Sequence, residues 1–181
     1  MIPSPHAKDL EAATEVLAGR ELYHVGLVVP DIRAACERHS RLFGTRWAPL
    51  RRGHFAVMVD GETREAEIEV SYSVDGSPHV EHIEEISGSV WGVDGLHLNH
   101  IGFYADDLRR SMGQLEEAGL PARVHDIGED GGATMFSYHQ DPSGMWVELV
   151  HSSFRDRLRA WIGSTTEEQP DLGEASGPSP H

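Results

Sequence analysis

The sequence predicts an α+β fold built from two tandem βαβββ modules, and three observations lead there. A short phrase occurs twice, LYHVGLVVPD at 22–31 and LNHIGFYADD at 98–107. Each copy runs into a capped segment with helical spacing, and each helix is followed by three strand signals. At an offset of 76 residues, His24 falls on His100, Gly26 on Gly102, Asp31 on Asp107 and Arg33 on Arg109.

Module one covers 21–88. In its first strand Val25, Leu27 and Val29 share one side and can pack on the helix that follows, which leaves His24 and Gly26 on the other. Asp31 is placed to cap that helix, Ile32, Ala35, Cys36 and Leu42 give it an apolar side, and Gly44 ends it. A short strand at 45–49 is expected next. HFAVMVD (54–60), EIEVSYSV (67–74) and HVEHIEEI (79–86) then read as strands, broken by Asp60-Gly61 and Asp75-Gly76. Alternation in the second of these is strict, with Ile68, Val70, Tyr72 and Val74 on one face and Glu67, Glu69, Ser71 and Ser73 on the other.

Module two covers 96–152 and repeats the plan. Its helix has Asp107 as the cap, Leu108, Met112, Leu115 and Ala118 at intervals of four and three, and Gly119 at the end. Its strands are ARVHDI (122–127), ATMFSYHQ (133–140) and MWVELVHS (145–152), the last two joined by Asp141-Pro-Ser-Gly144. Outside this body lie an N-terminal extension (1–20) with a short helix at Asp9–Ala18, a C-terminal helix at 153–163, and a tail (164–181) too poor in buryable residues to fold.

Composition narrows the partners. The 181 residues are 39% hydrophobic, enough for one core shared by two halves. With 30 acidic against 15 basic side chains, a net charge of -15 repels nucleic acid and anionic membrane surfaces. The basic pair Arg51-Arg52 is a local patch that could still meet a phosphate-bearing small molecule. The single Cys36 has no internal partner and reads as core. No stretch has the length of a membrane span and the N-terminal residues lack a signal-peptide pattern, so the expected compartment is the cytoplasm.

The site follows from the strand faces. His24 and His100 point away from the helix-packed side, and so do Glu81 and Glu148 in the last strand of each module. Two imidazoles and two carboxylates on one inner face need a cation, and they are the nitrogen and oxygen donors that borderline divalent metals take. Glu65, Glu67 and Glu69 sit in a neighbouring strand and read as a solvated face rather than as a second acid or base.

Together, the His-Val-Gly and His-Ile-Gly strands, the capped helices and the closing DPSGMWVELV motif resemble the vicinal oxygen chelate superfamily, over about residues 21–152. That superfamily includes glyoxalase I, methylmalonyl-CoA epimerase, extradiol dioxygenases and fosfomycin-resistance enzymes. The resemblance implies a glyoxalase-like fold, with curved mixed sheets around a central cleft and His24, Glu81, His100 and Glu148 as the metal ligands. It implies one divalent ion (Zn, Ni, Co or Mn) and a homodimer acting on a small molecule. His/Glu/His/Glu is similar to the bacterial glyoxalase I pattern, and to the epimerase pattern, which usually has Gln where this chain has Glu81.

The activity implied is that of a lyase or an isomerase/epimerase working through an enediolate or enolate, with Glu148 or Glu81 as the catalytic base. Phe103, Tyr104, Met135 and Trp146 are the candidates for an apolar substrate pocket around it. Two other classes remain open. In an Fe(II)-dependent extradiol-type dioxygenase only three of the four residues would ligate iron; a binding protein would sequester an antibiotic or metabolite in the cleft.

Overall fold

Residues 15–92, 98–141 and 144–164 are described by the computed structural model. Module one runs β1 (Leu22–Val29), α1 (Ile32–Phe43), β2 (Arg51–Val59), β3 (Glu62–Tyr72) and β4 (His79–Glu84). Module two runs β5 (Leu98–Ala105), α2 (Leu108–Glu117), β6 (Ala122–Asp126), β7 (Phe136–Gln140) and β8 (Trp146–His151), and α3 (Phe154–Gly163) follows. Of the helix expected at Asp9–Ala18, residues 15–17 are helical and 9–14 lie outside the described residues, as does all but Ser164 of the polar tail.

The eight strands close into a barrel in the order β1-β4-β3-β2-β6-β7-β8-β5. Within each module the first strand runs parallel to the last. Between modules the contacts are antiparallel, β1 with β5 and β2 with β6, so both seams are sealed inside one chain.

Local chemistry builds the elements. The Asp31 carboxylate accepts from the Ala34 N–H at 2.9 Å and Asp107 from Arg110 N–H at 3.0 Å, so each helix starts on an aspartate cap. Gly44 and Gly119 adopt φ of +70° and +81°, the left-handed turn that ends each helix. At the β2–β3 hairpin Asp60 and Gly61 both have positive φ, as a two-residue turn requires.

Three expectations change. The strand at 45–49 reduces to a single bridge between Trp47 and Ser73. Strand β7 begins at Phe136 rather than 133, because the buried Asp126 carboxylate takes the N–H groups of Thr134, Met135 and Phe136 out of the ladder. Leu42 is exposed with its neighbour Phe43; in the second half of α1 it is His39 that turns inward, toward His82.

Packing forms three layers. Inside the barrel lie Val28, Val57, Tyr72, Ile83, Trp91, Phe136, Tyr138 and Val150. Leu27 and Val29 pack outward on Ile32, Ala35 and Cys36 of α1, and Phe103 and Leu149 on Leu108 and Leu115 of α2. The Leu158 and Trp161 side chains of α3 are buried in the barrel cluster. No helix among the described residues is long and apolar enough to cross a membrane.

Candidate metal centre

Strand register brings the site together. On β1, Gly26 stands opposite Glu81 of β4 on one side and His100 of β5 on the other. On β5, Gly102 stands between Glu148 of β8 and His24 of β1. Each glycine leaves the space that the other module's imidazole fills: a Cβ at Gly26 would overlap the His100 ring, and one at Gly102 the His24 ring. The repeated His-x-Gly is therefore a cross-fitting pair.

A bulge aims each imidazole. Between Leu22 and His24 the β1 strand advances two residues for one on β5, and β5 does the same between Leu98 and His100. The extra residues, Tyr23 and Asn99, occupy equivalent places in the repeat, immediately before each histidine.

The four donors converge. All lie within 4.8 Å of one another, and all four residues are buried. His24 Nε2 lies 2.7 Å from His100 Nε2, 3.0 Å from Glu148 Oε2 and 3.3 Å from Glu81 Oε2, while His100 Nε2 lies 3.0 Å from Glu81 Oε2. Donors about 2.1 Å from one ion and at right angles would stand roughly 3.0 Å apart.

The protonation pattern calls for a cation at this focus. Asn99 Nδ2 donates to the Val90 carbonyl at 2.8 Å, which turns its Oδ1 to accept from His100 Nδ1 at 3.0 Å. With its proton on Nδ1, His100 presents a bare lone pair at Nε2, facing a carboxylate oxygen and a second imidazole nitrogen. Lone pairs crowded in this way repel unless a positive charge lies between them. Glu148 Oε2 and His24 Nδ1 are buried with no directed hydrogen bond, so the donor set is left incomplete by protein groups alone. These residues fit a divalent metal.

Electrostatics agree with that demand. Burial alone would push His24 down, but Glu81 and Glu148 overcome it and raise its pKa, so the two carboxylates make this focus favourable to positive charge. Burial would push Glu81 up; His24, His100 and the Tyr72 phenol reverse this and leave it below its ordinary value.

Above the donors opens a cavity of about 240 Å³, with Glu81 and Glu148 at its floor. Its walls are aromatic and aliphatic, among them Tyr72, Trp91, Phe136, Tyr138 and Trp161. Of the four residues expected around a substrate, Met135 lines this cavity. Phe103 instead packs under α2, because it lies on the outer face of β5. Tyr104 stacks on Tyr23 beneath the Arg155 guanidinium, and Trp146 packs half-buried at the start of β8; neither reaches the cavity wall. Glu67 and Glu69 lie on the outer face of β3, where Arg52 neutralises them.

A profile of the Glyoxalase/Bleomycin resistance protein/Dioxygenase superfamily matches residues 23–138, well over half of the sequence. The chain belongs to this superfamily. Its fold is similar to that of a hypothetical protein from Bacillus halodurans C-125, at 15% identity and a TM-score of 0.51, over 74% of this chain and 94% of that one. It is also similar to a variant of methylmalonyl-CoA epimerase from Streptomyces coelicolor in complex with 2-nitronate-propionyl-CoA, at 17% identity and a TM-score of 0.51, over 72% and 96%. No curated protein sequence matches the chain closely enough to count as a relative.

Beyond the residues predicted from sequence, the phenols of Tyr72 and Tyr138 and the amide of Asn99 stand at the site. Tyr72 is the cross-strand partner of Glu81, and Tyr138 that of Glu148. Burial, reinforced by the two glutamates, pushes both phenols well above their ordinary pKa, so each stays a neutral hydrogen-bond donor beside its carboxylate. Position nine or ten residues before each glutamate was the available signal, but it emerges only once the hairpin registers are known. Asn99 was the other, a lone amide in an otherwise apolar strand.

Proposed function

We propose that the protein is a divalent-metal-dependent isomerase or lyase that removes and returns a proton next to a carbonyl of a small oxygen-bearing substrate. The observation that carries this is the position of two metal-competent carboxylates at the floor of a largely apolar cavity. A Zn, Ni, Co or Mn ion held by His24, His100, Glu81 and Glu148 would supply Lewis acidity, favouring the enolate or enediolate form of the substrate.

The protein groups do the rest. Glu148 is the better base, because one imidazole nitrogen, that of His24, lies 3.0 Å from its Oε2 and that of His100 stands off at 3.7 Å, whereas Glu81 Oε2 has both imidazoles close, at 3.3 and 3.0 Å. Tyr72 and Tyr138, held neutral, can donate to an oxygen that gains negative charge. The aromatic walls keep water from the developing carbanion. Were all four residues to hold a six-coordinate ion, two positions would remain, fewer than an oxygenase would need for a chelated substrate plus oxygen.

The test begins with elemental analysis of protein purified without chelator. Metal-loaded protein is then incubated in deuterium oxide with 2-oxoaldehyde hemithioacetals and 2-methyl-branched acyl thioesters. Carbon-bound deuterium in one of these classes, lost about 100-fold or more in Glu148→Gln, is the expected result. Stoichiometric iron with oxygen consumption would replace this reading with a dioxygenase, and failure to bind metal would replace it with sequestration.

A further inference from the structure

We infer that the substrate is an anion, gripped by Arg51 at the cavity rim while its oxygen-bearing end lies over Glu81 and Glu148. This deepens the reading above and rests on it. The two arginines that adjoin in sequence part company in the barrel. Arg52 also borders the cavity, but its guanidinium is neutralised by Glu67 at 3.0 Å and Glu69 at 2.9 Å on the outer face of β3. Arg51 lines the cavity, with its guanidinium 4.6 Å from the centre of the Trp161 ring.

Among the described residues no carboxylate lies within ion-pairing distance of Arg51, although the chain carries twice as many acids as bases. Most other arginines, Arg33, Arg46, Arg64, Arg109, Arg123 and Arg155 among them, have an acidic partner, and of the few that do not, Arg51 is the one that lines the cavity. A guanidinium with no counter-ion among the described residues, held over an indole at the mouth of an apolar pocket, is preorganised for a planar or tetrahedral oxyanion.

Register sets the length of that ligand. Arg51 pairs with Val70, which lies two residues along β3 from Tyr72, the partner of Glu81. Two strand spacings and two residues of rise separate the Arg51 and Glu81 backbones by roughly 12 Å, less any curvature of the sheet. The Arg51 side chain covers part of that gap. The intervening wall, Val70 and Ile83 on one side and Phe154 on the other, is apolar. The ligand is thus a chelating head, a short apolar body and one terminal carboxylate or phosphate.

The experiment is calorimetric titration of the full-length, zinc-loaded protein with the monohydroxamates of succinic, adipic and suberic acid, each beside its methyl ester. At the best-fitting length the acid should bind about five- to tenfold more tightly than the ester in low salt, with the preference shrinking as salt is raised. Arg51→Gln should abolish the preference and leave the ester within twofold of wild type, while Arg52→Gln should keep it. A phosphonate-terminated hydroxamate of the same length that binds more tightly than the acid assigns a phosphorylated substrate, and one that binds less tightly assigns a carboxylic acid. Equal binding of acid and ester at every length, or a preference surviving in Arg51→Gln, overturns the inference. Failure of the esters to bind at all would instead remove the metal-chelate reading beneath it.

Discussion

Gly26 and His100 meet across the β1–β5 seam so closely that a methyl group on the glycine would occupy the space of the imidazole. Gly102 and His24 repeat the relation in the opposite direction. Gly26→Ala should therefore displace His100, lower zinc affinity at least tenfold and destabilise the fold by about 1–3 kcal/mol through overpacking. Competition with a chromogenic chelator reads the affinity. Unchanged affinity in both Gly26→Ala and Gly102→Ala would show that the rings need no such clearance.

Asn99 fixes the tautomer of His100, whereas His24 Nδ1 has no counterpart to it. Asn99→Ala should weaken zinc binding by about 10–100-fold, the usual effect of losing an outer partner of a ligating histidine. Asn99→Asp should retain most of the affinity, because it keeps the acceptor. Equal losses in both variants would assign the residue a packing role only.

His82 gives a pH dependence distinct from metal binding. It is buried beneath α1, with its ring stacked on Trp47 at 4.0 Å and Nδ1 3.4 Å from Cys36 Sγ. Burial, assisted by His39, lowers its pKa to about 4. The folded protein keeps it neutral while the unfolded chain protonates it near pH 6.5, so its contribution is complete above about 6.5 and is lost as pH falls toward 4. Urea unfolding of the metal-free protein at pH 7.0 and 4.5 should show a loss of up to about 2 kcal/mol that His82→Leu reduces. Burial also lowers His139, which leaves a residual slope in that variant. Identical pH dependence in wild type and His82→Leu would rule out this source.

Helix α3 closes one wall of the cavity through Trp161, which is buried and donates from Nε1 to the Pro49 carbonyl at 2.8 Å. Trp161→Ala should cost about 3–5 kcal/mol of unfolding free energy and widen the cavity. Chemical denaturation measures the first effect. A loss below about 1 kcal/mol would mean that α3 docks by its other contacts.

The sequence made the two modules legible because each physical device appears twice: an aspartate cap, a glycine stop, and a His-Gly strand. The metal donors were readable for the same reason, since a strand's two-residue period decides which face His24 and Glu81 share. Phe103 and Tyr104 show the limit. Both neighbour the site in sequence, but the outer face of β5 and the stack on Tyr23 take them from the cavity. Tyr72, Tyr138 and Arg51 reach it from strands whose register rests on long-range pairing, and no local pattern encodes that.

Because β1–β5 and β2–β6 are joined within one polypeptide, every donor atom of the centre arrives on the same covalent thread. In this arrangement the four donors meet without a second copy of the chain. The two halves are also bound in their histories, since a bulkier residue replacing either glycine would be felt first by the imidazole of its twin.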